Sequence, residues 1–363
     1  MSEYKVSGFP IVDSDGDIFA RSITTDTVNF IYLGIGGSAT KAYTYAGHRF
    51  PGQPGHFVYD RTDIESFPFA SESPIGQHAD TGSYARNTAG TASADNGYFT
   101  GGISFFPPNS YYSRSNAIKI PFANSSYSTT PQVMTVGRQF HAAHQSLTHG
   151  YNSGGWARSP NPSFQTFHTT IDRFTFANET NSYASVGNLA DSKIGVYSTG
   201  QSSSSHGYIF GGASSAYSIP ASYNHNFIQK FPFATDANAS DVGDMSTTRW
   251  DCAGQSSTAN GYATGGYNNP GQNGNAFETM DKFPFSNDTN ATDIGNLTQH
   301  RIRPGGASSS TKGYSVGGAE RGNPPYYYQS QVTVDGFPFS SDGNSTDVGD
   351  LALARSYNGT TQG

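Results

Sequence analysis

The chain of 363 residues is poor in charge and nearly free of cysteine. Only 13% of its residues are Asp, Glu, Lys or Arg, and the formal balance is −7. No basic cluster occurs, so the Lys and Arg that neutralise phosphates are missing and nucleic acid is not an expected partner. A single cysteine, Cys252, excludes an internal disulfide. No run of about 18 apolar residues exists, so no membrane span is expected. The opening MSEYKVSGFP has neither the charged nor the apolar segment of a signal peptide, which predicts a protein made in the cytoplasm and not secreted by that route. No window holds an apolar period of about 3.6, so almost no helix is expected.

What is abundant is glycine, with 43 residues, and aromatic side chains, at 14%. That composition reads as short strands joined by glycine turns. The chain also repeats. An aromatic-Pro-Phe element lies at Phe67-Pro68-Phe69, Ile120-Pro121-Phe122, Phe174-Thr175-Phe176, Phe231-Pro232-Phe233, Phe283-Pro284-Phe285 and Phe337-Pro338-Phe339, at intervals of 53, 54, 57, 52 and 54 residues. A degenerate copy, Phe9-Pro10-Ile11, precedes them. Glycine pairs keep step at Gly36-Gly37, Gly101-Gly102, Gly154-Gly155, Gly211-Gly212, Gly265-Gly266 and Gly317-Gly318. An interval near fifty residues is the signature of a propeller or solenoid array, here one domain over residues 1–363.

Each unit holds four strand-like pieces. The first follows an arginine (Arg21, Arg86, Arg138, Arg249, Arg301, Arg355), with Gly195 in that place once. The second is Gly-Tyr-x-x-Gly-Gly, the third ends in the aromatic-Pro-Phe element, and the fourth leads into Val/Ile-Gly-Asn/Asp-Leu/Met. Four short antiparallel strands per unit make a propeller blade. The glycine pair is expected at positive φ, and Pro284 at a strand end because it cannot donate to a ladder.

The order arginine, short strand, apolar-Gly-Gly strand, strand before a turn resembles the kelch repeat over nearly the whole chain, although the kelch tryptophan is replaced by Val-Gly-Asp-Leu. The wording FPFATDANASDVGDMSTTR at 231–249 and QSSSSHGYIFGG at 201–212 is similar to repeats of structural proteins of tailed phages, notably marine ones. The resemblance implies an all-β, kelch-like propeller. Six units run from Arg21 to about Leu351. The remaining ends, residues 1–20 and 352–363, are expected to close the ring as a seventh blade stitched from both termini, six blades with loose ends being the alternative.

Antiparallel connectivity puts the arginines and the long loops after each glycine pair on one face of the disc. Loop variation on one face of a repeat scaffold is where binding usually lives. Tyr43, Tyr45, Phe105, Phe106, Tyr111, Tyr112, Trp156, Tyr217, Tyr223, Tyr326, Tyr327 and Tyr328 are therefore the candidate ligand-binding residues, rigid and polar-tipped as sugars and protein partners require. The arginines either line a channel mouth or bond strand-end carbonyls and the Asp of Val-Gly-Asp; their recurrence favours the structural role.

No metal or cofactor is expected. His141 and His144 fall on opposite faces of a strand, His149 sits in a turn slot, and Asp13-Ser14-Asp15-Gly16-Asp17 lacks the bidentate Glu of a calcium loop. Eight Asn-x-Ser/Thr sequons, among them Asn124, Asn178, Asn238 and Asn344, read as turn chemistry. No nucleophile elbow or phosphate loop is present, so no enzyme is expected. The resemblance implies a virion protein of tail, fibre, baseplate or capsid surface, whose partners are other virion proteins or a bacterial surface polysaccharide. A cellular kelch-type interaction module and a propeller-fold carbohydrate-active enzyme are the competing readings.

Overall fold

A computed structural model describes residues 39–45, 47–49, 59–72, 76–106, 110–158, 165–179, 183–190, 197–213, 224–268, 275–321 and 328–362, with two short strands at 5–6 and 9–10. Among these residues every regular element is a strand. Five four-stranded antiparallel sheets and a sixth, whose four blade strands are joined by the short strand His48–Arg49, form a β-propeller. In the fifth blade the strands run outward as Ala253–Ser256, Asn260–Thr264, Thr279–Pro284 and Thr292–Asn296. The six innermost strands touch one another in a closed circle around the axis.

The blade count corrects the expected seven. The C-terminal strand Gly359–Gln362 pairs with Lys41–Tyr45, and with Tyr59–Pro68 and Gly76–Ala85 they complete the first blade. Among the described residues the ring thus closes with the C-terminal segment alone. The strands Lys5–Val6 and Phe9–Pro10 pair with each other and add nothing to a blade sheet. Arg21 and Gly36-Gly37, read as the first unit, lie outside the described residues.

The repeat's residue types follow from how blades meet. Each Gly-Tyr tyrosine stacks on the second Phe of the aromatic-Pro-Phe element of the following blade. Tyr151 meets Phe233 at 4.7 Å, Tyr208 meets Phe285 at 4.7 Å, and Tyr262 meets Phe339 at 5.0 Å. The glycine before the tyrosine leaves room for the first Phe of its own blade: a Cβ on Gly207 or Gly313 would overlap the ring of Phe231 or Phe337. Pro284 is the last residue of its strand, as its missing N–H requires.

The outer rim is tied in the same way. The turn asparagines accept backbone N–H groups of the preceding blade, Asn188 to Asn238 at 3.0 Å, Asp244 to Asn290 at 3.1 Å and Asn296 to Asn344 at 3.0 Å. Lys230–Asp288 and Lys282–Asp342 ion pairs span the same seams. The glycine of Val-Gly-Asp permits this approach, because a Cβ on Gly295 would sit 2.6 Å from the Gly343 backbone.

Candidate functional site

The repeat arginines are internal. Arg138, Arg249, Arg301 and Arg355 are fully buried, and they do not line a mouth. Arg301 donates to the carbonyls of Gly317 and Thr333 at 3.0 Å each, and pairs with Asp335 at 2.8 Å. Arg138 pairs with Asp172, Arg249 with Asp281 at 3.1 Å, and Arg355 with Asp63 at 2.7 Å and with Glu65. The carbonyl contacts are those expected; the carboxylates come from the third strand and not from Val-Gly-Asp.

Arg86 is not one of this series. Its backbone bridge to Ile103 matches those of Gln139 to Trp156 and Ile302 to Ala319, so Ala85 holds the arginine slot in the second blade. There Ala85 packs in one apolar cluster with Ile118, which replaces the aspartate. In the fourth blade the aspartate slot is Gln229, which accepts the Ala190 N–H at 2.7 Å.

The mouth of the channel is built by different residues. Asn87, Phe140, Tyr197, Asp251, Arg303 and Tyr357 occupy one slot per blade, each left-handed with φ between 55° and 61°. Their backbones form a closed circle of hydrogen bonds. Asn87 donates to Tyr357, Phe140 to Asn87, Tyr197 to Phe140, Asp251 to Tyr197, Arg303 to Asp251 and Tyr357 to Arg303, at 2.9–3.3 Å. The side chains cover the axis. Arg303 pairs with Asp251 at 2.6 Å and lies 3.9 Å from the Tyr357 ring centre. Phe140 packs on Tyr197 at 4.1 Å, and Tyr197 on Trp250 at 4.7 Å. Burial pushes the Asp251 carboxyl up to about 6, with the Arg303 charge pulling the other way. Below the circle lies a cavity of about 140 Å³, walled by the start of the six inner strands.

Around this mouth, the connection from second to third strand continues as a two-stranded ladder in every blade. Examples are Ile103–Phe106 with Ser110–Ser113, Trp156–Arg158 with Gln165–Phe167, and Ala319–Arg321 with Tyr328–Ser330. His48 and Arg49 pair with Asp60 and Tyr59 in the first blade, and Gly212 and Ala213 with His225 and Asn224 in the fourth. The glycine pairs that lead into these ladders have positive φ, as expected.

The aromatic candidates divide. Tyr43 and Tyr45 are corrected from loop to blade: they lie in the strand Lys41–Tyr45, 2% and 0% exposed, and belong to the core. Trp156 is buried beneath its ladder, its ring parallel to Phe140. Tyr328 reaches Arg303, at 5.4 Å. Tyr112 is exposed on its ladder, where Phe105 and Phe106 pair with Tyr111 and Ser110. Tyr217, Tyr223, Tyr326 and Tyr327 lie outside the described residues, as does Asp13–Asp17.

Sequence reasoning missed the circle at the mouth. Its signal is positional, the second residue after the repeat arginine, and its side chains share no chemistry. The histidines are internal. His141 reaches Thr100 of the second blade at 3.0 Å, and His144 reaches the Gln201 carbonyl of the fourth at 3.1 Å. Burial pushes the Cys252 thiol up to about 11, which leaves it unreactive as a nucleophile near neutrality.

No protein-family model matches the chain, and no curated protein matches it. Among solved structures the fold is similar to one described as the structure of YjhT, with a TM-score of 0.59 at 11% identity, covering 80% of this chain and 95% of that one. At that identity the likeness shows the fold alone, a β-propeller.

Proposed function

We propose that the chain is a non-enzymatic structural and adhesion protein of a virion, a kelch-like propeller of a tail fibre, baseplate or capsid surface. Its laddered face binds a host surface glycan or a neighbouring virion protein. The observation that carries this reading is the division of the disc. One face gathers the six ladders and a mouth where one backbone slot presents Asn, Phe, Tyr, Asp, Arg and Tyr. The other holds repetitive turns tied blade to blade, such as Asn238 and Asn344. A uniform frame with one diversified face is the arrangement of a recognition scaffold. The phage-like wording of 231–249 supplies the setting.

The test has two arms. Mass spectrometry of purified particles is expected to find the chain in stoichiometric amount. The isolated protein is expected to bind host cells saturably. Absence from particles would remove the virion setting, and a well-folded protein that binds neither cells nor other virion proteins would remove adhesion.

A further inference from the structure

We propose that Arg114, on the laddered face where the second and third blades meet, is an anion-binding residue that receives the carboxylate of an acidic sugar. This deepens the adhesive reading and rests on it.

The first support is a charge without a counterpart. Five arginines are buried among the described residues. Arg138, Arg249, Arg301 and Arg355 each pair with a carboxylate. Arg114 is 7% exposed and pairs with none. A buried guanidinium with no carboxylate is destabilising, and a bound anion would offset that cost. Its Nε donates to the Asn116 amide oxygen at 3.3 Å, and its Nη1 is enclosed. Nη2 is neither enclosed nor bonded, so it is the nitrogen an anion reaches.

The second support is a comparison between blades. Arg61 holds the same place in the first blade. Each arginine precedes the proline that ends its third strand by the same interval, Arg61 before Pro68 and Arg114 before Pro121. Each donates its backbone N–H to the glycine that opens the ladder, Arg61 to Gly47 at 3.0 Å and Arg114 to Gly102 at 2.8 Å. Two residues further on, Asp63 takes Arg61 Nε at 2.6 Å. The second blade has Asn116 there, nearly the same shape without the charge. The third-strand carboxylate that pairs the repeat arginine elsewhere is Ile118 in this blade. Both places that could supply a counter-charge are thus neutral.

The third support is the setting. From Asn96 to Ile171 the chain has no Asp or Glu, in a protein whose formal balance is −7. Ser113, next to Arg114, pairs with Ile103, whose backbone bridges Arg86. The Ser113 hydroxyl accepts the Arg158 N–H at 2.9 Å. Three arginines therefore stand around one ladder, a positive sector that draws anions to the face. Tyr112, on the same ladder, is 37% exposed and supplies a flat, polar-tipped surface for a sugar ring. One unmatched charge reached through one nitrogen suits a monoanion, which selects the carboxylate of a uronic acid over a phosphate dianion.

The experiment is isothermal titration of the full chain with glucuronic and galacturonic acids, against glucose, galactose and sodium acetate, repeated at about 0.5 M sodium chloride. A uronic acid is expected to bind at one site per chain, more weakly in salt, and the neutral sugars and acetate not to bind. Arg114→Gln removes the charge. Asn116→Asp places a carboxylate where Asp63 stands in the first blade. Each is expected to weaken uronate binding about tenfold or more, the loss of one charge-assisted bond. Asn116→Asp is also expected to raise the melting temperature of the free protein and to cancel the further rise that uronate gives the parent. If the neutral sugars bind as tightly, or if folded Asn116→Asp binds uronate like the parent, Arg114 is not the site. If acetate binds as tightly as the uronic acids, the sugar assignment is wrong and a carboxylate of a neighbouring protein takes its place. If host cells bind but no uronic acid does, this inference falls alone and adhesion lies elsewhere on the face. If neither cells nor any uronic acid bind, the adhesive reading falls with it.

Discussion

Tyr314 of the last blade lies flat on Phe69 of the first, ring centres 4.9 Å apart and planes 14° from parallel. It is the sixth of six equivalent stacks, with Tyr43 on Phe122 at 5.2 Å and Tyr98 on Phe176 at 5.2 Å among them. The seam between the ends of the described chain is therefore packed like every other seam. Phe69→Ala is expected to destabilise the protein by roughly 3 kcal/mol, the low end for such truncations because Phe69 is half-buried. Phe233→Ala, at an interior seam, should behave alike. Urea unfolding compares them; an unaltered midpoint for Phe69→Ala would mean the ring is not closed there.

Closure hangs on the C-terminal strand. Truncation after Ala354 removes Arg355, Tyr357 and the inner strand Gly359–Gln362, and with them the buried guanidinium beside Asp63 and the inner neighbour of Lys41–Tyr45. Loss of a single cooperative melt is expected by circular dichroism, together with rapid proteolysis of the first blade. A synthetic peptide of residues 353–363 added in excess is expected to restore protection.

The buried arginines are a matter of matched partners. Asp335→Ile alone strands the Arg301 charge, which is 0% exposed, and is expected to cost about 3–5 kcal/mol. The double variant Arg301→Ala with Asp335→Ile copies the Ala85 and Ile118 pair of the second blade. It is expected to recover most of that loss in a thermal melt. Failure to recover would show that the guanidinium's bonds to the Gly317 and Thr333 carbonyls matter more than its charge.

Acid should loosen the ring through its histidines. Burial depresses His141 to about 3 and His144 to about 4. The unfolded chain binds these protons near 6.5, the folded one only much lower. Stability from this pair is thus complete above about 6.5 and is lost as pH falls toward 4. Asp251 acts in the opposite sense, since its folded value is raised to about 6: the stability it contributes is greatest in acid and is lost as pH rises through 6. The two histidine shifts are together the larger, so a net fall of melting temperature between pH 6.5 and 4 is expected. His144→Gln should flatten it; an unchanged slope would assign the acid response elsewhere.

Much of this was legible in the chain. The spacing of the aromatic-Pro-Phe and Gly-Tyr elements encodes the blade because the same contacts recur at every seam, so each copy must keep the same residue types. The glycine pairs were legible for the same reason, since positive φ leaves little choice of residue. Blade one escaped because Lys41–Gly47 departs from the repeat. Ala42 stands where other blades have the glycine before tyrosine, and Gly47 alone retains positive φ. Its surviving mark is Tyr43, which stacks on Phe122 as the Gly-Tyr tyrosines do at the other seams.

The sequence by itself determined the propeller, because it rests on local rules repeated copy after copy; it left the arginines between a channel mouth and a structural role, which their burial and their third-strand carboxylates decided. Only the tertiary structure decided how many blades close the disc, since the partner of Lys41–Tyr45 lies at the far end of the chain. It alone decided the mouth as well. Asn87, Phe140, Tyr197, Asp251, Arg303 and Tyr357 share a backbone conformation and a hydrogen-bonded circle but no side-chain chemistry. A site defined by shared geometry and unlike residues leaves no motif to read.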